Sequence, residues 1–148
     1  MHLLNRIEEA IMEDKHQKPN TKLQTIKMFE IQNKPVYDLE DRTFSFARQS
    51  RDFVTKLTKT IPNIEYGRQL IRSSGSPAAN YIEANEALSK KDFCMRIKIC
   101  RKESKESMLW LKLCDPGDKP ELLKIQAELI QEAIELTKIF NSIVNKSK

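Results

Sequence analysis

The sequence predicts an all-α protein: an antiparallel, up-down-up-down four-helix bundle preceded by an N-terminal extension. Three observations support this fold class. Glycine is scarce, with 3 among 148 residues, and such a composition favours helices over sheets and tight turns. Apolar residues recur at helical spacing in four long segments between residues 39 and 144. The connections between these segments are short, which implies antiparallel neighbours.

The chain divides into an N-terminal extension, residues 1–37, and the bundle, residues 38–148. Within the extension, a short helical pattern over residues 3–14 is followed by a proline-containing stretch without a sustained period. The apolar positions of the short pattern are Leu3, Leu4, Ile7 and Ile11. A second apolar group, Ile26 to Ile31, is expected to form a short extended piece that packs on another part of the protein.

The first long helix is predicted from about Leu39 to Thr60, and Pro62 is expected to end it. Its apolar stripe consists of Phe44, Ala47, Val54, Leu57 and Ile61, widened by Phe46 and Phe53.

The second helix is predicted from about Asn63 to Leu88 and contains Pro77 in its interior. An interior proline costs ~3 kcal/mol, so we expect a kink, with Asn80 bonding a backbone carbonyl that the proline frees. One side of this helix is predicted to carry Leu70, Ser74, Ala78, Tyr81, Ile82, Asn85 and Leu88.

The third helix is predicted from about Lys90 to Cys114, with Ser89 as its N-cap. Asp115 to Asp118 forms a strong turn signal, and the fourth helix follows from about Lys119 to Val144. The apolar faces of both helices are wider than the seam of a monomeric bundle, which predicts self-association. The surplus apolar residues of the third helix are Met95, Ile99, Leu109, Trp110 and Leu113.

The third helix also concentrates the positive charge of the chain. Residues 89–114 hold eight Lys/Arg against three Asp/Glu, a formal charge of +5 that equals the net charge of the whole chain. At 100° per residue, Lys91, Lys98, Lys102, Lys105 and Lys112 fall within about 80° of one another. They lie opposite the predicted core face, which consists of Phe93, Ile97, Cys100, Ser104 and Leu111. The basic residues are either a solvated helix face or a track that binds nucleic-acid phosphates. The candidate binding residues are Lys91, Lys98, Arg101, Lys102, Lys105 and Lys112.

Several other site types find no support in the sequence. The two histidines lie in the extension, so a di-metal bundle site and a nucleophile–histidine pair have no candidate ligands or base. The odd cysteine count without a CxxC pair indicates reduced thiols packed as small apolar residues. We therefore expect no enzymatic activity, no metal and no cofactor. With no apolar run of about 18 residues and no secretory signal, we expect a cytoplasmic protein without membrane contact.

A polar group on the second helix is open to two interpretations. Arg68 and Arg72 could form salt bridges with Glu103 or Glu106 across the bundle, or they could contribute to a binding site. Trp110 is expected in the core or in an interface.

The second helix reads GRQLIRSSGSPAANYIEA, and the third contains KESKES before Leu109-Trp110-Leu111. Over about residues 38–144 this order of motifs resembles the bacterial four-helix-bundle proteins encoded in intervening sequences of ribosomal RNA genes, the S23 ribosomal protein family. Around the proline this chain has Ser76-Pro77-Ala78-Ala79-Asn80, which places one residue differently from the family pattern, and residues 1–37 have no counterpart in the usual short members. The positions that carry the resemblance are Gly67, Arg72, Ser76, Pro77, Asn80, Glu83, Glu106 and Trp110.

The resemblance implies a homopentameric ring without known enzymatic activity. It also implies a relationship to accessory proteins of retroelements, which bind a reverse transcriptase and nucleic acid through a basic surface. The sequence therefore predicts a non-enzymatic homo-oligomer, with a pentamer favoured, that binds RNA or DNA and acts beside a reverse transcriptase or another protein. The alternative is a protein-interaction scaffold without a nucleic-acid role, in which the charge only aids solubility.

Overall fold

The computed structural model describes residues 38–148, and within this range it contains four α-helices and no strand. The predicted extension, its helical pattern at residues 3–14 and its apolar group at residues 26–31 lie outside the described residues. The helices are α1 (Leu39–Lys56), α2 (Ile61–Asn85), α3 (Lys90–Leu113) and α4 (Pro120–Lys146). The all-helical fold class and the helix count are confirmed.

Polar side chains cap the first three helices. The Asp38 carboxylate accepts from the backbone N–H of Glu40 at 3.2 Å, and the Thr60 hydroxyl accepts from that of Asn63 at 3.2 Å. The predicted cap at Ser89 is confirmed, because its Oγ accepts from the N–H of Asp92 at 3.1 Å. Each bond satisfies an amide that has no partner within its own helix.

The role predicted for Pro62 is wrong. Instead of ending α1, Pro62 lies in the first turn of α2, which begins at Ile61. A first-turn proline loses an N–H that no helical carbonyl would have accepted, and its fixed φ suits the helix. α1 ends earlier than predicted, at Lys56.

The buried face of α1 also differs from the prediction. Phe46 and Phe53 are each 1% exposed and form its core contact, whereas Phe44 is 60% exposed and Ile61 lies on the surface. Positions 46, 50, 53 and 57 are all buried, and they form one helical stripe. Phe44 lies on a neighbouring stripe, so only part of the wide apolar face predicted from the sequence is buried in the core. On α2, Ile82 is exposed against prediction, and Leu88 lies beyond the helix end, also exposed.

The core lies between all four helices. On α3 the predicted face is confirmed, since Phe93, Ile97, Cys100, Ser104 and Leu111 are all buried. On α4 the buried residues include Leu122, Leu129, Leu136, Phe140 and Ile143. The largest fully buried side chains outside α3 are Tyr81, Phe46, Phe53, Phe140, Leu70, Leu129 and Leu136.

Contacts join α3 to α2 and α4, and join α1 to the same two helices. On α2, Ser73 contacts Ser107 of α3, and the later residue Pro77 contacts the earlier residue Cys100. These contacts of α2 and α3 therefore run in opposite directions along the chain. Gln126 likewise bonds the carbonyl of Leu111 at 2.7 Å, while Asn141 bonds Arg101 at 2.9 Å. Asn63, buried at the start of α2, forms hydrogen bonds with Thr58 and Asp115. It thereby links the connection between α1 and α2 to the connection between α3 and α4.

Pro77 is accommodated within a continuous helix. It is buried, and its carbonyl accepts from Cys100 Sγ at 3.5 Å. Asn80 donates to the Ser76 carbonyl at 3.0 Å, but the carbonyl that Pro77 deprives of its helical donor is that of Ser73. The predicted compensation is therefore not the one formed, because Ser73 lies seven residues, or roughly 10 Å, from Asn80 along the helix.

The three cysteines are free thiols, as predicted. Burial raises the pKa of the Cys100 thiol to about 12 and that of Cys114 to about 11, since the interior solvates a thiolate poorly. Cys94 is only half buried.

We predict opposite effects of alanine at two glycines of α2. A Cβ at Gly67 would lie 2.9 Å from Cγ1 of Val54, a short and stiff side chain, whereas a Cβ at Gly75 would meet nothing within 4 Å. Gly67→Ala should lower the free energy of unfolding by about 1–2 kcal/mol, because overpacking outweighs the better helix propensity. Gly75→Ala should raise it by up to about 1 kcal/mol. Urea unfolding followed by circular dichroism measures both.

Val54→Ala provides the control, since it should make Gly67→Ala less costly than it is in the native background. Equal effects at the two glycines would contradict the close approach of α1 and α2.

Thiol alkylation provides a second prediction. At pH 8 the raised pKa of Cys100 holds its thiolate fraction about a thousandfold below that of an exposed thiol, and burial blocks access as well. Iodoacetamide should therefore modify Cys94 at least tenfold faster than Cys100 in the folded protein, as read by peptide mass spectrometry. The two rates should converge in concentrated urea. Equal rates without urea would show that Cys100 is accessible.

Candidate nucleic-acid interface

The packing of α3 places most of its basic residues on the exposed side of the helix. Its buried face contacts both α2 and α4, so the opposite side is left to solvent. Five lysines on that side are all exposed and are called the lysine face from here on: Lys91, Lys98, Lys102, Lys105 and Lys112. The structure thus places the five predicted lysines together on one surface.

Arg101 differs from the five lysines. It is half buried, and its guanidinium donates to Oδ1 of Asn141 on α4 at 2.9 Å. This bond fixes Arg101 at the border between α3 and α4, beside the lysine face. Lys138, nearly one turn before Asn141, is exposed on the same helix. Sequence analysis missed both α4 residues, because nothing in the sequence relates positions 40 residues apart.

The acids of α3 neutralise little of the lysine face. Glu103 lies 3.4 Å from the ammonium of Lys102. Asp92 lies 3.8 Å from Arg96, which also donates to Asn80 and so belongs to the α2 side of the helix. Within residues 38–148, the other four members of the lysine face form no ion pair with a carboxylate. Their charges are available to an external anion.

The residues that carry the family resemblance have mainly structural contacts. Gly67 permits the close approach of Val54. Ser76 and Asn80 bond each other beside Pro77. Trp110 is half buried, stacks on Tyr66 with 6.0 Å between ring centroids, and donates from Nε1 to Glu106 at 3.1 Å.

The predicted salt bridges across the bundle are not formed. Glu106 accepts from Trp110, and Glu103 pairs with Lys102. Arg72 and Glu83 are exposed, as is Arg68. Both arginines lie on the outward side of α2, which directs their side chains away from α3.

A charged cluster between α1 and α4 escaped sequence analysis. The Arg42 guanidinium lies 2.7 Å from Glu132 and 2.6 Å from Glu135. The hydrogen bonds that Arg42 donates to Glu132 raise the pKa of Arg42 above its usual value despite partial burial. The partners are 90 and 93 residues away, so no local spacing could reveal them. The cluster fixes how the start of α1 lies on α4.

In residues 38–148 no group of three or more His, Cys, Asp or Glu is arranged to hold a metal ion. None of the helices in this part of the chain is long and apolar enough to cross a membrane.

Comparison with solved structures finds a similar fold. A crystal structure of a protein from Bacteroides thetaiotaomicron superposes with a TM-score of 0.61 and 25% sequence identity, covering 72% of this chain and 98% of the other. That protein is described as one of unknown function from the S23 ribosomal protein family. The predicted resemblance to the S23 ribosomal protein family is confirmed. No protein-family model and no curated protein matches the sequence. The likeness to an S23 protein therefore supports the fold, while the function must be argued from the surface of α3.

Proposed function

We propose that this protein is a non-enzymatic, homo-oligomeric accessory protein that binds the phosphate backbone of RNA or DNA through the lysine face of α3. The observation that carries the proposal is the set of exposed lysines on one helix side, four of them without a carboxylate partner in residues 38–148. Lysines neutralise phosphates and release counterions, which supplies affinity without reading sequence.

The geometry of the lysine face suits a nucleic-acid backbone. From Lys91 to Lys112 it extends about 32 Å along the helix, the axial length of roughly nine nucleotides of one duplex strand. Successive lysines are three to seven residues apart, or about 5–10 Å. No aromatic side chain of residues 38–148 belongs to this face, because Trp110 is engaged with Tyr66. Base stacking is thus not supported, and backbone contact is.

The proposed architecture is an antiparallel, up-down-up-down bundle. In residues 38–148, four helix pairs have contacts that run in opposite directions along the chain: α1 with α2, α2 with α3, α3 with α4, and α1 with α4. This arrangement leaves the outer side of α3 exposed from one end of the helix to the other. A long basic surface needs that exposure.

The proposed oligomer uses apolar residues that the single chain leaves exposed. Met95 and Leu113 on α3 lie beside the lysine face, Leu109 lies within it, and Leu123 lies on α4. Each of the four is at least two-fifths exposed, so the proposed interface borders the path of the nucleic acid. Exposed apolar groups of this kind mark association surfaces. A pentamer, as the resemblance implies, would repeat the lysine face five times and raise the formal charge from +5 to about +25, a strong field for attracting nucleic acid. A reverse transcriptase or another nucleic-acid enzyme is the proposed protein partner, acting in the cytoplasm.

Binding should depend strongly on salt and on the lysine face. We expect fluorescence anisotropy with 20-nucleotide RNA and DNA to give a linear fall of log K with log salt concentration. Changing Lys98, Lys102 and Lys105 to Glu should abolish binding at 150 mM salt. Changing Lys98 alone to Gln should reduce the slope by about 0.7–0.9.

A second triple variant with the same net charge distinguishes binding at the lysine face from attraction by the overall charge of the protein. Lys59, Lys119 and Lys124 are also exposed, and changing all three to Glu alters the net charge equally. This variant should keep most of its affinity. If both triple variants lose affinity alike, or if binding shows no salt dependence, the lysine face is not the binding surface.

The solution mass tests the oligomer. The chain has a mass of 17.3 kDa, and we expect light scattering at tens of micromolar to report a multiple of it, about 87 kDa for a pentamer. Leu109→Glu combined with Leu113→Glu should shift the mass toward the monomer, because charges cannot be buried unpaired in an apolar interface. The native chain behaving as a clean monomer would refute self-association.

A further inference from the structure

The outward side of α2 carries small and apolar residues in its middle. Ile71, Gly75, Ala78, Ala79 and Ile82 fall within about 100° of one another at 100° per residue and are called the central stripe. Ile71 is 49% and Ile82 is 50% exposed, and a Cβ placed on Gly75 would meet nothing within 4 Å. Because the side chains at a contact set the distance between packed helices, this stripe is open to the close approach of another helix.

The charged residues beside the central stripe are separated along α2 by sign. Arg68 and Arg72 lie in the first half of the helix, whereas Glu83 lies in its last turn and Glu86 at its C-cap. All four are exposed, form no ion pair within residues 38–148, and fall within about 60° of one another on one flank of the stripe. With Glu65, the first half of α2 holds two arginines against one glutamate, and the end holds two glutamates. The helix is therefore positive at one end of the stripe and negative at the other.

The charges of α1 do not cancel this polarity. Gly67 contacts the end of α1 and Asn85 its start, so the two helices run antiparallel and their register is fixed. Asp41 is level with the negative end of the stripe. Arg51 and Asp52 are level with the positive end, but they pair with each other and add no net charge there.

A second copy of the chain, placed antiparallel along α2, matches these charges. With a two-fold axis beside Pro77, Arg68 lies opposite Glu86 of the second copy. Arg72 lies opposite Glu83 of the second copy to within one residue, or about 1.5 Å along the helix. Because the contact is two-fold symmetric, each pair occurs twice, and no two residues of like charge among these four lie opposite each other.

The same axis matches the central stripe with itself. Ile71 lies opposite Ile82 of the second copy to within one residue, and Gly75 lies opposite Ala79. Both isoleucines lie on the flank of the stripe that faces α1, away from the charged flank. Phe44, which is 60% exposed, lies on α1 beside this flank. The surface is therefore complementary to itself in both shape and charge.

We infer that two copies of this chain associate through an antiparallel, two-fold symmetric contact of α2 with α2. A single helix pair about 27 Å long falls at the small end of specific interfaces, so we expect a reversible association at hundreds of micromolar. The central stripe lies opposite Ser73 and Asn80, which contact α3, so the lysine face stays uncovered. The contact is separate from the proposed nucleic-acid binding and from the apolar residues of α3 and α4.

Carbodiimide coupling, which joins an amine to a carboxylate without a spacer, tests this contact. Arg72→Lys keeps the positive charge and supplies the amine. In the full chain at several hundred micromolar, position 72 should couple to Glu83, as read by peptide mass spectrometry. These positions are 11 residues, or about 16 Å, apart on one helix, so the product forms only between chains. Coupling of Lys56 to Glu121, 3.9 Å apart within one chain, serves as the internal control.

A mixture of isotopically light and heavy chains checks the origin of each product. About half of the peptides that join position 72 to Glu83 should be of mixed isotope composition, whereas those that join Lys56 to Glu121 should not be mixed. The inference is overturned if position 72 yields no mixed peptide while Lys56 couples to Glu121. Mixed peptides that join position 72 to Glu65 as often as to Glu83 would overturn it as well, because they would indicate unspecific collisions.

Charge reversal provides an independent test by sedimentation equilibrium. One variant combines Arg68→Glu with Arg72→Glu, and the other combines Glu83→Arg with Glu86→Arg. Each alone should lose the rise in average mass that the native chain shows between tens and hundreds of micromolar. An equimolar mixture should restore the rise, because opposite charges again face each other in both halves of the contact. A mixture without this rise would contradict the contact.

The matched control for the arginine variant is Lys59→Glu combined with Lys119→Glu. Both lysines are exposed, and their reversal changes the net charge by the same amount. This control should keep the native rise in mass. If it loses the rise as fully as the arginine variant does, overall charge governs the association and the α2 contact is wrong.

Discussion

The packing of α3 between α2 and α4 is the constraint on which the rest of the molecule depends. The face it buries includes small residues, among them Ser104 and Ser107, so neighbouring helices can approach closely. Buried hydroxyls are costly unless bonded, and here each one is satisfied. Ser107 Oγ lies 2.9 Å from Ser73 Oγ and donates to the Glu103 carbonyl, while Ser104 Oγ donates to the Cys100 carbonyl at 2.8 Å. Because this face of α3 is buried, the lysines on the opposite side of the helix are exposed to solvent.

The same constraint explains which parts of the structure could be predicted from the sequence. The residues that share one side of a helix follow from their spacing in the sequence. The buried face of α3 and the exposed position of its lysines on the opposite side were therefore predicted correctly. The partner of Arg101 was not, because Asn141 approaches it only after α3 and α4 have packed. The salt bridges expected for Arg68 and Arg72 are not formed, for the same reason. Whether these arginines lie near Glu103 and Glu106 depends on how α2 packs against α3, and spacing within one helix does not reveal that packing.

Two further errors show where local patterns are ambiguous. Proline is compatible with both the end of one helix and the first turn of the next, and Pro62 proved to be the second case. Phe44 belongs to an apolar stripe that the sequence cannot distinguish from the buried one beside it. The structure decides between the two stripes, since Phe46 and Phe53 are each 1% exposed and Phe44 is 60% exposed.

The molecule therefore presents two surfaces of different chemistry on different sides. The lysine face is cationic along α3, with exposed Leu109 among its lysines. The outer side of α1 and α2 instead carries exposed apolar residues, namely Phe44, Ile71 and Ile82.

Lysine acetylation with and without nucleic acid tests the lysine face directly, since it reports on every surface lysine of the unmodified chain at once. Acetic anhydride at a limiting dose, followed by peptide mass spectrometry, gives the protection of each lysine by a bound 20-nucleotide RNA or DNA. We expect strong protection of Lys91, Lys98, Lys105 and Lys112, with Lys59 and Lys124 unchanged. Equal protection of all surface lysines, or protection of Lys59 and Lys124 alone, would contradict the lysine face as the nucleic-acid-binding surface.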